Sequence, residues 1–121
     1  MHIRQVDEGD FPAWYAMRVA LWPHHTPEEL TFDQPGMLGD PNQAIFLAWD
    51  DSSVPAHVIG MIEMAIRPYA PGSEEMPVPY IEGWYVAPEW RGKGIGRMLV
   101  ETGEAWGRER GYVRIASDTI P

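Results

Sequence analysis

The sequence contains no cysteine. That excludes a disulfide framework, a thiolate zinc site and a cysteine nucleophile, and leaves histidine and carboxylates as the only metal ligands. Positive charge is scarce: nine Lys and Arg stand against eighteen Asp and Glu, for a formal net charge of −9. Such a field repels phosphate backbones and attracts cations, so nucleic-acid binding is disfavoured. An acidic surface that merely keeps the protein soluble is the plainer explanation, and steering of a cationic substrate is the second. Long apolar runs are also missing. The longest, residues 44–49, is far too short to cross a bilayer, and residues 1–10 carry no apolar leader core, so the chain reads as cytoplasmic and without a membrane partner. No repeat or low-complexity tract stands out.

What is present is the balance of one folded domain: 121 residues, 45% hydrophobic and 22% charged. Alternation over residues 2–6 predicts a first strand. Asp7 or Asp10 then caps a helix carrying Phe11, Trp14, Met17, Arg18 and Leu21, which stops near Pro23. Thr26-Pro27-Glu28-Glu29 opens a second helical stretch, and residues 36–41 read as loop. Residues 43–49 and 57–67 form an antiparallel hairpin, residues 69–79 an exposed loop, and residues 80–86 a fourth strand. Residues 95–110 make the clearest helix, with Ile95, Met98, Leu99, Thr102, Ala105 and Trp106 on one face. Residues 112–117 then form a fifth strand parallel to the fourth, because strand, helix and strand in that order make a right-handed crossover. The sheet is expected to be mixed.

The chemistry concentrates in Val86-Ala87-Pro88-Glu89-Trp90-Arg91-Gly92-Lys93-Gly94-Ile95-Gly96. Glycines at alternate positions let successive backbone amides face one hollow, and the following helix adds its unpaired N–H groups and positive dipole end. Arg91, Lys93 and Arg97 add charge, so phosphate is the natural guest. A dinucleotide fingerprint is excluded because Arg97 stands where its last glycine belongs, and a P-loop because Gly-Lys-Ser/Thr is absent. The bland alternative is a flexible loop with incidental glycines. Elsewhere no serine has an evident histidine partner, Ser73 included. The adjacent pair His24-His25 rarely converges on one ion, so no metal is expected.

This arrangement resembles motif A of the GCN5-related N-acetyltransferases, whose Arg/Gln-x-x-Gly-x-Gly/Ala pattern is met by Arg91, Gly94 and Gly96. The resemblance implies an α/β (α+β) fold of that family, a mixed central sheet flanked by helices. It implies acetyl-coenzyme A as cosubstrate, held at its diphosphate by Arg91, Gly92, Lys93, Gly94, Ile95, Gly96 and Arg97. The pantetheine arm would run along the fourth strand, the thioester would sit where strands four and five splay, and the backbone of Trp84, Tyr85 and Val86 would polarise its carbonyl.

A more particular resemblance lies in Ile3-Arg4-Gln5, Leu21-Trp22-Pro23-His24-His25, Ile66-Arg67 with Tyr69, Ile81-Glu82-Gly83, and Ala116-Ser117-Asp118-Thr119. Together these look like aminoglycoside 6'-N-acetyltransferases. In that family the equivalents of Trp22, His25, Tyr69, Glu82 and Asp118 line the aminoglycoside pocket. Acyl transfer needs a neutral amine while the substrate arrives as a polycation, so carboxylates both attract ammonium groups and remove a proton. Either Asp118 or Glu82 takes it, directly or through water, and the amine attacks the thioester without an acyl-enzyme. Taken singly, Trp22 and Tyr69 read more readily as packing aromatics, Glu82 as a salt-bridge partner and Asp118 as a cap, and it is their joint occurrence that shifts the weight to the pocket; Trp14, Trp106 and the indole of Trp84 are taken as structural.

Family members continue past the fifth strand with a helix and two strands that often build a homodimer, whereas this sequence ends at Pro121. The chain is therefore expected to be truncated, with a homodimer as the family's assembly. Two other readings stay open: an acetyltransferase for another small-molecule or peptide amine, and a non-catalytic acetyl-coenzyme A binding module.

Overall fold

Near-continuous apolar runs within residues 43–67 favour a sheet buried on both faces, and that sheet is the centre of the computed structural model, which describes residues 1–68 and 77–117. Its strands are β1 His2–Gln5, β2 Gln43–Asp50, β3 His57–Arg67, β4 Val78–Val86 and β5 Ala116–Ser117, ordered β1-β2-β3-β4-β5. The first four pair antiparallel, and β5 lies parallel to β4. The mixed sheet is thus as expected, but the described β5 covers two residues rather than six.

Helices cover both faces. On one side α1 Phe11–Leu21, α2 Pro27–Thr31 and α3 Gln34–Gly39 bring Trp14, Met17 and Met37 against Ile45, Leu47 and Met61. On the other, α4 Ile95–Glu109 packs Ile95, Leu99 and Trp106 against Ala44, Ile62, Met64 and Ile81. Met61 and Ile62 are neighbours on β3 and serve opposite layers, as the two-residue period of a strand requires.

Three sequence expectations change. Residues 36–39, expected to be loop, belong to the helix Gln34–Gly39: Pro35 sits in the first turn, where its missing N–H is not needed, and Gln34 and Met37 are buried. Packing there outweighs the low helix propensity of glycine. Strand β4 begins at Val78, and the buried Pro79 lies inside it, against Gly107 of α4. The buried stripe of α4 runs through Ile95, Leu99, Gly103, Trp106 and Gly107, while Met98 is 44% exposed. A Cβ on Gly103 would stand 2.8 Å from the Met64 sulfur. The helix therefore turns Gly103 and Gly107 to the sheet alongside Leu99 and Trp106, in place of Met98 and Thr102.

Candidate active site

The anion-binding part grows from the end of β4. Ala87 N donates to Ile59 O at 2.8 Å, a short 3-10 turn covers Pro88–Trp90, and Arg91 Nε donates to Val86 O at 2.8 Å. The Arg91 guanidinium also lies 5.5 Å from the Tyr85 ring centre. Arg91 thus braces the loop against the strand. Gly92 and Gly94 take φ of 78° and 85°, left-handed values open to glycine at little cost. An added Cβ would meet nothing at either, so conformation and not crowding requires them. Gly96 has a different reason: its Cβ would stand 3.2 Å from the Trp84 indole.

The first bond of α4 runs from Met98 N to Gly94 O. Among the described residues, the amides of residues 92–97 donate to no main-chain carbonyl. Unpaired donors at the positive end of a fifteen-residue helix, beside Arg91, Lys93 and Arg97, suit a diphosphate. A groove of about 370 Å³ leads away from this loop between α1 and β4, lined by Ala20, Leu21, Trp84, Tyr85, Val86 and Arg91. Pairing of β4 with the described β5 covers Tyr80 and Ile81. Past Ile81 the edge of β4 that faces away from β3 has no described partner.

A second cleft, about 540 Å³, opens on the same face of the sheet and takes in Trp22, His25 and Glu82 together with Glu29, Asp33 and Glu63. Three of the expected substrate residues therefore meet. Tyr69 and Asp118, the other two, lie outside the described residues. Trp22 and His25 meet edge to face with ring centres 6.4 Å apart, and His25 Nδ1 is 3.2 Å from Glu29 Oε2. Glu29 in turn closes the capping box with Thr26, whose backbone and side-chain hydrogen bonds hold its carboxyl below the usual carboxylate range. Among the described residues no three His, Asp or Glu side chains are grouped to hold a metal ion.

Glu82 owes its position to an irregularity in the ladder. Glu63 pairs with Gly83 and Met64 with Ile81, leaving Glu82 as the extra residue of a β-bulge. Both of its oxygens accept from Arg67, Nε and Nη2 each at 2.6 Å, and the Arg67 guanidinium stacks 3.7 Å from the centre of the Tyr80 ring. The salt-bridge reading and the cleft reading of Glu82 thus hold together.

One group was not foreseen. Glu63 and Arg18 are 2% and 4% exposed. Arg18 Nε and Nη2 donate to the two Glu63 oxygens at 2.7 and 2.9 Å, and Trp14 Nε1 donates to the same carboxylate at 2.8 Å. Arg18 Nη1 reaches Leu30 O and Asp33 Oδ1. Burial alone would lower the Arg18 pKa, yet Glu63 and Asp33 hold it above its ordinary value. The floor of the cleft is a buried, fully engaged ion network. The signal for it was present: a glutamate flanked by Ile62 and Met64 in an apolar strand, facing Trp14 and Arg18 spaced four apart on one helix face.

Residues 4–121 match the acetyltransferase (GNAT) family, and the chain belongs to it. Its particular likeness is to aminoglycoside 6'-N-acetyltransferases. The chain is 39% identical over 120 residues to aminoglycoside N(6')-acetyltransferase type 1 of Stenotrophomonas maltophilia, covering 97% of this chain and 74% of that protein. With the enzyme of the same name from Klebsiella aerogenes it shares 35% identity over 97% of its own length and 77% of the relative's. Among solved structures, AAC(6')-Iy in complex with a bisubstrate analogue, CoA-S-monomethyl-acetylneamine, superposes with a TM-score of 0.89 at 31% identity, covering 99% of this chain and 80% of that one. The apo 6'-N-acetyltransferase AAC(6')-IG from Acinetobacter haemolyticus gives 0.88 at 29%, over 98% and 79%.

Proposed function

We propose that this acetyl-coenzyme A-dependent N-acetyltransferase acts on the 6'-amino group of an aminoglycoside, the type of reaction that confers antibiotic resistance. The observation that carries the reading is the adjacency of two unlike clefts: an apolar groove ending on an anion-binding loop, and an acidic cleft holding Trp22, His25 and Glu82. The names of its relatives support the choice of substrate.

In this reading Gly92, Gly94 and the amides opening α4 hold the diphosphate, with Lys93 and Arg97 adding charge. The acyl arm follows the groove along Trp84, Tyr85 and Val86, whose strand edge supplies amide donors to the thioester oxygen as negative charge develops there. The ammonium's excess proton first passes to a carboxylate, directly or through water. The neutral amine nitrogen attacks the thioester carbon, the new C–N bond forms, the C–S bond breaks, and coenzyme A leaves as thiolate, which becomes thiol by taking up the proton that the acylated nitrogen sheds. Because Arg67 already occupies one lone pair on each Glu82 oxygen, we assign Glu82 to holding a substrate ammonium group on the remaining ones and Asp118 to receiving the proton. His25 and Trp22 form the wall against which the sugar ring packs, and the resemblance assigns Tyr69 to the same pocket.

A coupled thiol-release assay with kanamycin or tobramycin tests this. Asp118→Asn is expected to lower kcat by about 100-fold, within the usual range for a general base, with acetyl-coenzyme A affinity unchanged. Equal losses in turnover and cofactor affinity would remove Asp118 from the reacting amine. A panel of other amines in the same assay separates this substrate from the wider class, and cofactor binding without turnover would mark a binding module. No described helix is long and apolar enough to cross a membrane. Action in the cytoplasm as a homodimer completes the proposal, supported by the resemblance and tested by fractionation and sedimentation equilibrium.

A further inference from the structure

The donor groove and the amine cleft are neighbours, and one contact stands between them. Leu21 and Trp84 line the groove, Trp22 and Glu82 line the cleft, and Gly83 lies between Glu82 and Trp84 on β4. A Cβ on Gly83 would stand 2.8 Å from Cη2 and 3.2 Å from Cζ2 of Trp22, and 3.3 Å from Leu21 Cδ2. The bulge at Glu82 makes this possible. Ile81 belongs to the α4 layer and Trp84 meets Gly96 of α4, while Glu82 and Gly83 in succession face the α1 side.

We infer that Gly83 is a specificity-determining residue, whose missing side chain lets the Trp22 indole rest against β4 as the partition past which the amine must reach the thioester. The inference deepens the acetyltransferase reading given above and rests on it. Trp22 has little freedom to retreat: the Arg18 guanidinium lies 5.7 Å from its ring centre, the His25 ring closes another side, and Trp22 N is bonded to Arg18 O at 2.8 Å. The atoms in contact belong to the rigid benzo ring, not to the end of a flexible chain. A methyl group at position 83 therefore displaces the indole into the amine cleft, where a bulky polyamine competes with it. On the groove side the methyl meets Leu21 Cδ2 less closely, at 3.3 Å, and no phosphate-loop atom stands among the three nearest it.

The test uses Gly83→Ala, Trp22→Phe and the double variant. KM and kcat for tobramycin are measured by thiol release, the acetyl-coenzyme A Kd by calorimetry, and Tm for each protein. Gly83→Ala is expected to raise KM for tobramycin by about 10- to 100-fold, the order that one extra methyl-sized group in a pocket produces, with the cofactor Kd unchanged. In the Trp22→Phe background, which removes the indole atoms in conflict and leaves only the 3.3 Å approach to Leu21, adding Gly83→Ala should leave KM unchanged and lower Tm by less than it does beside Trp22. A Tm loss without a KM change would reduce Gly83 to a packing role and overturn the inference. A tobramycin KM penalty for Gly83→Ala that persists undiminished beside Trp22→Phe would overturn it too. Wild-type protein that binds acetyl-coenzyme A and acetylates no amine would instead sink the enzymatic reading itself, whatever the variants' Tm values show.

Discussion

Glu63 and Glu82 share a cleft, and each is held by an arginine fork, but their surroundings give the two pairs different uses. Glu63 and Arg18 are almost wholly buried, so removing one partner strands a charge at a cost of about 3–5 kcal/mol. Arg67 and Glu82 have side chains 37% and 28% exposed, and a solvent-screened pair contributes only about 1 kcal/mol or less. A carboxylate held that weakly can share its charge with an arriving ammonium; one held as Glu63 is cannot. In urea denaturation, Glu63→Gln is therefore expected to lose about 3–5 kcal/mol and Glu82→Gln no more than about 1 kcal/mol. Similar losses for both would mean that Glu82 is a structural brace. The residue scale is also where the sequence was least legible. Glu82 was identified by resemblance, but its partner Arg67 was not paired with it, because the pairing depends on a bulge that no local pattern announces. Glu63 passed unremarked, since reading an alternating strand does not say which of its faces will meet a buried arginine.

At the scale of elements, the loop and helix from Arg91 onward were the most legible part of the chain. Their chemistry is contiguous, and the bend expected from the glycines is made by left-handed φ at Gly92 and Gly94. The third glycine shows the limit of such reading: Gly96 fits the motif, yet its Cβ would strike the Trp84 indole from the sheet below. The α4 face was misjudged for a related reason, because periodicity weighs large side chains and overlooks Gly103 and Gly107, where helix and sheet approach most closely. Residues 36–39 were misread because two glycines and a proline outweighed the burial of Met37, which depends on α1 and β2 being in place. The two roles of glycine predict different outcomes. Gly94→Glu puts bulk and negative charge at the helix start and should weaken acetyl-coenzyme A by at least about tenfold, or ~1.4 kcal/mol. Gly96→Ala should lower Tm through Trp84 and affect affinity less. Calorimetry giving the reverse order of affinities would move the diphosphate away from the helix terminus.

Across the whole molecule, charge is sorted by place. The net charge is −9, yet Arg91, Lys93 and Arg97 cluster at the loop, while Glu29, Asp33, Glu63 and Glu82 line the amine cleft. For a polycationic aminoglycoside the global field and the local cleft act with the same sign, so both are lost together as salt screens them. For acetyl-coenzyme A, a polyanion, the global field repels while the loop attracts, and screening weakens two opposing effects. The two substrates should therefore differ in salt response. As ionic strength rises through the point where the Debye length falls to about 10 Å, near 0.1 M, kcat/KM for tobramycin should fall steeply. The acetyl-coenzyme A Kd should change by a smaller factor, and a monoamine should show a shallower slope than tobramycin. Parallel slopes for tobramycin and the cofactor would mean that the acidic excess is a solubility feature with no part in capture, leaving the cleft's own carboxylates to select the amine at contact range.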